Sequence, residues 1–113
     1  MVEKFDVCVI GSGPGGYVAA IRCAQLGMKT AIVEREKLGG VCLNVGCIPS
    51  KAMITASHFL HRMQHDAPEM GLEVSGSIRV NMKQLKTWKD SVCTKMSGGV
   101  AQLLKGNSVT IVM

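Results

Sequence analysis

The stretch that decides the fold reads Phe5-Asp6-Val7-Cys8-Val9-Ile10-Gly11-Ser12-Gly13-Pro14-Gly15-Gly16-Tyr17-Val18-Ala19-Ala20. Its first six residues carry the β-branched Val7, Val9 and Ile10 in a short apolar run, the pattern of a buried strand. Glycine then stands at the first, third and sixth places of Gly11 to Gly16. From Tyr17 to Leu26 the chain is rich in alanine, with apolar residues at helical spacing. Gly27 is placed to stop that helix in the left-handed conformation. Lys29 to Glu34 is a second apolar strand, ending in an acid. Strand, glycine turn, helix and strand within thirty residues make a βαβ unit, and its two strands should be parallel.

A lone pattern of three spaced glycines is a weak signal, but this one follows a strand, opens a helix and precedes an acid that ends the next strand. Such glycines allow a tight turn, let the backbone approach a pyrophosphate and let the helix pack on the sheet. The helix N-terminus then holds phosphate through its free N–H groups and its dipole. Glu34 would accept hydrogen bonds from the ribose hydroxyls of an adenosine. The pattern does not separate FAD from NAD, because both contain ADP. The plainer reading is a tight strand-to-helix connection and a solvated strand end.

Working outward, Arg35-Glu36-Lys37 is a charged link into Gly39-Gly40-Val41-Cys42-Leu43-Asn44-Val45-Gly46-Cys47-Ile48-Pro49-Ser50-Lys51. A helix is predicted from about Ile48 to Gln64, with Pro49 tolerated in its first turn. His65 to Glu69 breaks it. Residues Met70 to Val80 form a glycine-punctuated connection with room for a short extended piece. Asn81 is a candidate N-cap for a further helix. Its apolar face would be Met82, Leu85, Trp88, Val92, Met96, Val100 and Leu103. Gly98-Gly99 would cost roughly 2 kcal/mol relative to alanines there, which predicts a bend or close packing. Ser108 to Val112 is a third strand. The fold class is therefore α/β, a partial Rossmann-like doubly wound parallel sheet, the shape of the first half of a dinucleotide-binding domain.

Composition narrows the functions. A chain of 113 residues with 47% hydrophobic content is one domain's worth and not disordered. No apolar run nears the ~20 residues of a membrane span, and the N-terminus lacks the regions of a signal peptide. The net charge of +5 is spread from Lys4 to Lys105 without a run, and few aromatics accompany it, so no nucleic-acid or membrane partner is expected. Five cysteines, an odd number, without a secretory signal favour a reducing compartment.

Cys42 and Cys47 are the remaining chemistry. In a regular helix their Cα atoms would lie roughly 8 to 9 Å apart, whereas a disulfide wants about 4.4 to 6.8 Å. A pair would need a backbone tighter than a helix, and Gly46 permits it. Three readings stand open. A structural staple this short is worth only ~2 kcal/mol. With His61 and His65 the cysteines spell C-x4-C-x13-H-x3-H, near a zinc-finger spacing. A redox-active pair is the third, with the helix start lowering the Cys47 thiol pKa and Lys51 adding positive charge one turn on.

Gly39 to Lys51 resembles the active-site segment of the flavin-dependent pyridine nucleotide–disulfide oxidoreductases. Ile48-Pro49-Ser50-Lys51 is closest to the branch that oxidises dihydrolipoamide, and Gly11 to Ala20 and, more loosely, Ser97 to Val100 are similar to it too. The resemblance implies that Cys42 exchanges with a dithiol and that Cys47 lies nearest the flavin. It places Lys51 beside the flavin ring. FAD would be bound by Gly11, Ser12, Gly13, Pro14, Gly15, Gly16, Glu34, Arg35, Gly40, Val41, Cys42, Cys47 and Lys51, with NAD⁺ as the final acceptor. It further implies dihydrolipoamide on a lipoyl domain as substrate, a homodimer, and a 2-oxo acid dehydrogenase complex. The setting would be the bacterial cytoplasm or the mitochondrial matrix. Family members are several times longer, so residues 1–113 are expected to be an incomplete FAD-binding domain without the NAD, central and interface domains, inactive alone. A non-redox dinucleotide-binding or zinc-binding module is the alternative.

Overall fold

In the computed structural model, which describes residues 2–113, the elements follow the chain as β1 (Val7–Ile10), α1 (Pro14–Gln25), β2 (Thr30–Val33), α2 (Gly40–Val45), α3 (Cys47–His65), α4 (Met82–Gly106) and β3 (Thr110–Val112). The strands form one sheet in the order β1-β2-β3, parallel at both junctions. Ile32 pairs with Val9 on one side and with Ile111 on the other. Gly27 ends α1 with φ +86°, and the Asn81 side chain accepts the Gln84 N–H at 3.0 Å, both as the sequence predicts.

The core is small. Ala20, Ile32, Leu43, Val100, Leu104 and Val109 are buried together where α1, α2 and the end of α4 meet the sheet. Beyond it α3 and α4 run out side by side, and the radius of gyration is 19.8 Å with extents of 66 × 26 × 18 Å. A compact chain of this length would have a radius of about 13 Å. A 25-residue helix is about 37 Å long, and α3 packs alongside it.

That shape corrects three expectations. β1 is not buried on both faces: it lies at the edge of the sheet, its burial alternates, and Ile10 is 88% exposed. On α4 the fully buried position is Leu104, while Leu103 is 55% exposed. The contact row continues from Val100 by four residues rather than three, because only the last turns of α4 reach the core. Of the bend or close packing expected at Gly98-Gly99, the close packing is not there: an added Cβ at either would meet nothing within 4 Å, and α4 continues through both. The connection at residues 70–80 contains no strand.

Candidate dinucleotide and disulfide site

Pro14 opens α1, where its missing N–H costs nothing, and Gly13 is the N-cap in extended conformation. No side chain caps this end, and its first turn holds no acid. The first N–H groups are thus left for an external acceptor. An added Cβ at Gly13 or Gly15 would meet nothing within 4 Å, whereas one at Gly16 would overlap the Gly11 carbonyl oxygen. One side of the turn is therefore packed on β1 and the other is bare backbone. A phosphate fits this bare, uncapped helix end on both geometric and electrostatic grounds.

Gly40 brings the second half of the site to the first. Its φ is +66°, and an added Cβ would stand 2.7 Å from Gly13 Cα. Only glycine allows the cysteine segment to lie this close against the glycine turn. Gly39 N–H donates to the Ser12 carbonyl at 3.0 Å and to Ser12 Oγ at 3.2 Å.

Glu34 follows β2 and is buried at 8% exposure. Its Oε2 accepts from Ser12 Oγ at 2.5 Å and from Ser12 N–H at 3.1 Å, while Oε1 accepts from Glu36 N–H at 2.9 Å. The Ser12 hydroxyl, with backbone N–H donors, lowers the Glu34 pKa from 4.5 to about 2, because hydrogen bonds to the charged form favour it. Arg35, exposed, pairs with Glu36 at 3.5 Å.

Cys42 lies on α2 and Cys47 is the first residue of α3, with Gly46 as the break between them. Cys42 thus lies just ahead of α3, inside a separate short helix that the sequence reading did not assign. Their Cα atoms are 4.7 Å apart and the sulfurs form a disulfide. The break lets α3 fold back on α2, and glycine is needed, since a Cβ at residue 46 would stand 3.0 Å from the Val41 carbonyl oxygen and 3.2 Å from Cys42 Cα. Cys47 is exposed and Cys42 half-buried. Lys51, exposed, is one turn along α3 from Cys47. Val41 is 74% exposed beside them.

The zinc arrangement is not assembled. The two sulfurs are bonded to each other, and His61 lies about 21 Å further along α3 at ~1.5 Å per residue. No group of three metal-ligating side chains occurs among the described residues. His61 and His65 simply stack near the exposed end of the helix, ring centroids 4.4 Å apart.

Two supporting residues carry roles that the sequence reading did not assign. The Leu38 carbonyl accepts from Asn44 Nδ2 at 3.0 Å and from Ser97 Oγ at 2.9 Å. The link before Cys42 is thereby tied to both α2 and α4. Ser97 beside Gly98-Gly99 was the available signal; the long-range partner was not visible. An apolar groove of about 660 Å³ between α3 and α4 is lined by residues including Met53, Phe59, Leu60, Leu85 and Trp88. It contains none of the candidate residues.

The pyridine nucleotide-disulphide oxidoreductase family model matches residues 5–113. The chain belongs to that family. Among similar proteins, the dihydrolipoyl dehydrogenase of Geobacillus stearothermophilus is 55% identical over 107 residues, covering 95% of this chain and 22% of the relative. That of Staphylococcus aureus is 56% identical over the same length. The mitochondrial dihydrolipoyl dehydrogenase of Schizosaccharomyces pombe is 53% identical, over 94% of this chain and 21% of its own. The chain thus spans about a fifth of the curated relatives it matches.

Proposed function

We propose that this chain is the FAD-binding and disulfide-bearing part of a dihydrolipoyl dehydrogenase, oxidising dihydrolipoamide carried on a lipoyl domain with NAD⁺ as final acceptor. The observation that supports this best is the juxtaposition of a reducible pair, Cys42–Cys47, with an uncapped helix end through the contact of Gly40 with Gly13. Gly11 to Gly16 and the start of α1 would hold the pyrophosphate, Glu34 the adenosine ribose, with Arg35, Gly40, Val41 and Lys51 around the rest. FAD, when bound, supplies a two-electron carrier between the dithiol form of the pair and NAD⁺.

The protein's own step is thiol–disulfide exchange. One substrate thiolate attacks Cys42 Sγ, an S–S bond to substrate forms, and the Cys42–Cys47 bond breaks with Cys47 leaving as thiolate. The second substrate thiolate then attacks its own sulfur in that mixed disulfide. Substrate leaves as its cyclic disulfide and Cys42 leaves as thiolate, so two electrons have moved from substrate to the pair. Position at the start of α3, which has no acid in its first turn, stabilises the Cys47 thiolate. A flavin on the exposed flank of Cys47 would leave Cys42 to the substrate.

NAD binding, the homodimer and the 2-oxo acid dehydrogenase complex belong in this reading to the longer protein, with residues 1–113 as one incomplete FAD-binding domain of it. Its setting is then the bacterial cytoplasm or the mitochondrial matrix. No helix among the described residues is long and apolar enough to cross a membrane. The test is to titrate the chain with FAD, add dihydrolipoamide, and trap with an alkylating reagent. Two modified thiols at Cys42 and Cys47 are expected, and in Cys47→Ser, with oxidised lipoamide in place of dihydrolipoamide, a mixed disulfide at Cys42 formed as the Cys42 thiolate opens the lipoamide S–S bond. A pair that dihydrolipoamide leaves oxidised would end the proposal.

A further inference from the structure

We infer that Ser12 is a positioning residue of the nucleotide site: its hydroxyl fixes the Glu34 carboxylate so that Oε1 is the oxygen left for an adenosine ribose hydroxyl. Ser12 occupies a variable place in the glycine pattern, between Gly11 and Gly13, where the sequence asks only for a residue that fits. The structure gives it more. It is fully buried at 0% exposure, and its side chain stands between the Glu34 carboxylate and the Gly39 N–H.

The donor count makes the case. A hydroxyl has one proton to give, and Ser12 gives it to Glu34 Oε2, so its oxygen is free to accept from Gly39. Oε2 also accepts the Ser12 N–H. An ionised carboxylate has about two acceptor sites on each oxygen, so Oε2 is filled. Oε1 accepts the Glu36 N–H at 2.9 Å, and the Arg35 N–H also bears on the carboxylate, so Oε1 is the oxygen with no side-chain donor. The other charged groups nearby, Arg35 and Glu36, are exposed and paired with each other; Lys37 is exposed as well. None of these three donates a side-chain hydrogen bond to Glu34. Among the described residues, Ser12 is therefore the one whose side chain orients this carboxylate.

The depressed Glu34 pKa, whose largest cause is the Ser12 hydroxyl, gives a readout independent of any ligand. The inference rests on the reading of Glu34 as a ribose acceptor, and the test separates the two. In the full chain without FAD, the Glu34 carboxyl carbon is followed by ¹³C NMR through an acid titration. Ser12→Ala is expected to raise its midpoint by about 1 pH unit or more, a change of order 1.4 kcal/mol between its charge states. Ser12→Thr, which keeps the hydroxyl, is expected to leave it low. FAD affinity should fall about tenfold in Ser12→Ala, a 1.4 kcal/mol loss, and by much less when Glu34→Gln is already present. If Ala perturbs the turn, Ser12→Gly removes the same hydroxyl. An unmoved Glu34 titration in a folded hydroxyl-free variant overturns the inference, as does a tenfold FAD loss that persists in the Gln background. If the titration moves but no variant, nor the parent, binds FAD, the positioning stands and the ribose reading fails.

Discussion

Gly15→Ala and Gly16→Ala alter neighbouring residues in one helical turn, and their consequences should be opposite. At Gly16 the new Cβ would overlap the Gly11 carbonyl oxygen and stand 2.9 Å from its carbon. That carbonyl is backbone, on a residue whose N–H is held by Val33 at 2.7 Å, so it cannot swing away as a side chain would. Overpacking costs about 1 to 3 kcal/mol, and a rigid partner puts this case near 3. At Gly15 the Cβ would meet nothing. The substitution there only reduces the freedom of the unfolded chain, which stabilises by about 0.4 to 1 kcal/mol. The same methyl, however, occupies the bare face where a pyrophosphate would lie, and a tenfold weaker FAD affinity corresponds to about 1.4 kcal/mol. Urea unfolding followed by circular dichroism should separate the two variants by roughly 3 to 4 kcal/mol. FAD titration should show the loss in Gly15→Ala although it is the more stable variant. Equal stabilities, or a Gly15→Ala chain that binds FAD like the parent, would refute the division of the turn into a packed side and a ligand side.

Because the folded Glu34 pKa of about 2 lies below its unfolded value, the unfolded state takes up the proton first as pH falls. The carboxylate's contribution is thus complete above about pH 4.5 and disappears toward pH 2; in Glu34→Gln that part of the acid unfolding curve should flatten. With the disulfide reduced and no flavin present, iodoacetamide should modify the exposed Cys47 before the half-buried Cys42, and added FAD should reverse the order, as read by peptide mass. Leu104→Ala should cost about 2 to 5 kcal/mol in urea unfolding, since Leu104 is fully buried in the core, while Leu103→Ala should cost far less.

Local signals carried the reading where chemistry is local. Glycine spacing, the alanine-rich helix and the acid after Val33 located the phosphate turn and Glu34, and the Cys42–Cys47 spacing with Gly46 announced a backbone too tight for one helix. What stayed hidden depends on partners far along the chain. Nothing near Ser97 indicates that its hydroxyl reaches Leu38, and nothing near Ser12 indicates that it holds Glu34. The choice between Leu103 and Leu104 depends on how α4 crosses the sheet, since both fit a helical period. Ile10 looks as apolar as Ile32, yet one lies on an edge strand and the other at the centre; sheet order is a property of the assembled molecule.

The two strand junctions also differ in the length of chain they enclose. Pairing Val9 with Ile32 closes a short loop through α1, whereas pairing Ile32 with Ile111 closes one through α2, α3 and α4. Loop-closure entropy makes the second about 1 kcal/mol dearer by the (3/2)RT ln n rule, and contacts so distant in sequence form slowly. The βαβ unit that carries the glycine turn can therefore assemble early, while β3 joins last. Pulse-labelled hydrogen exchange during refolding should then protect the Ala31 and Val33 amides, which face β1, and the α1 ladder before those of Thr110 to Val112. In such an order the phosphate turn is in place before the cysteine-bearing helices are locked down between β2 and β3.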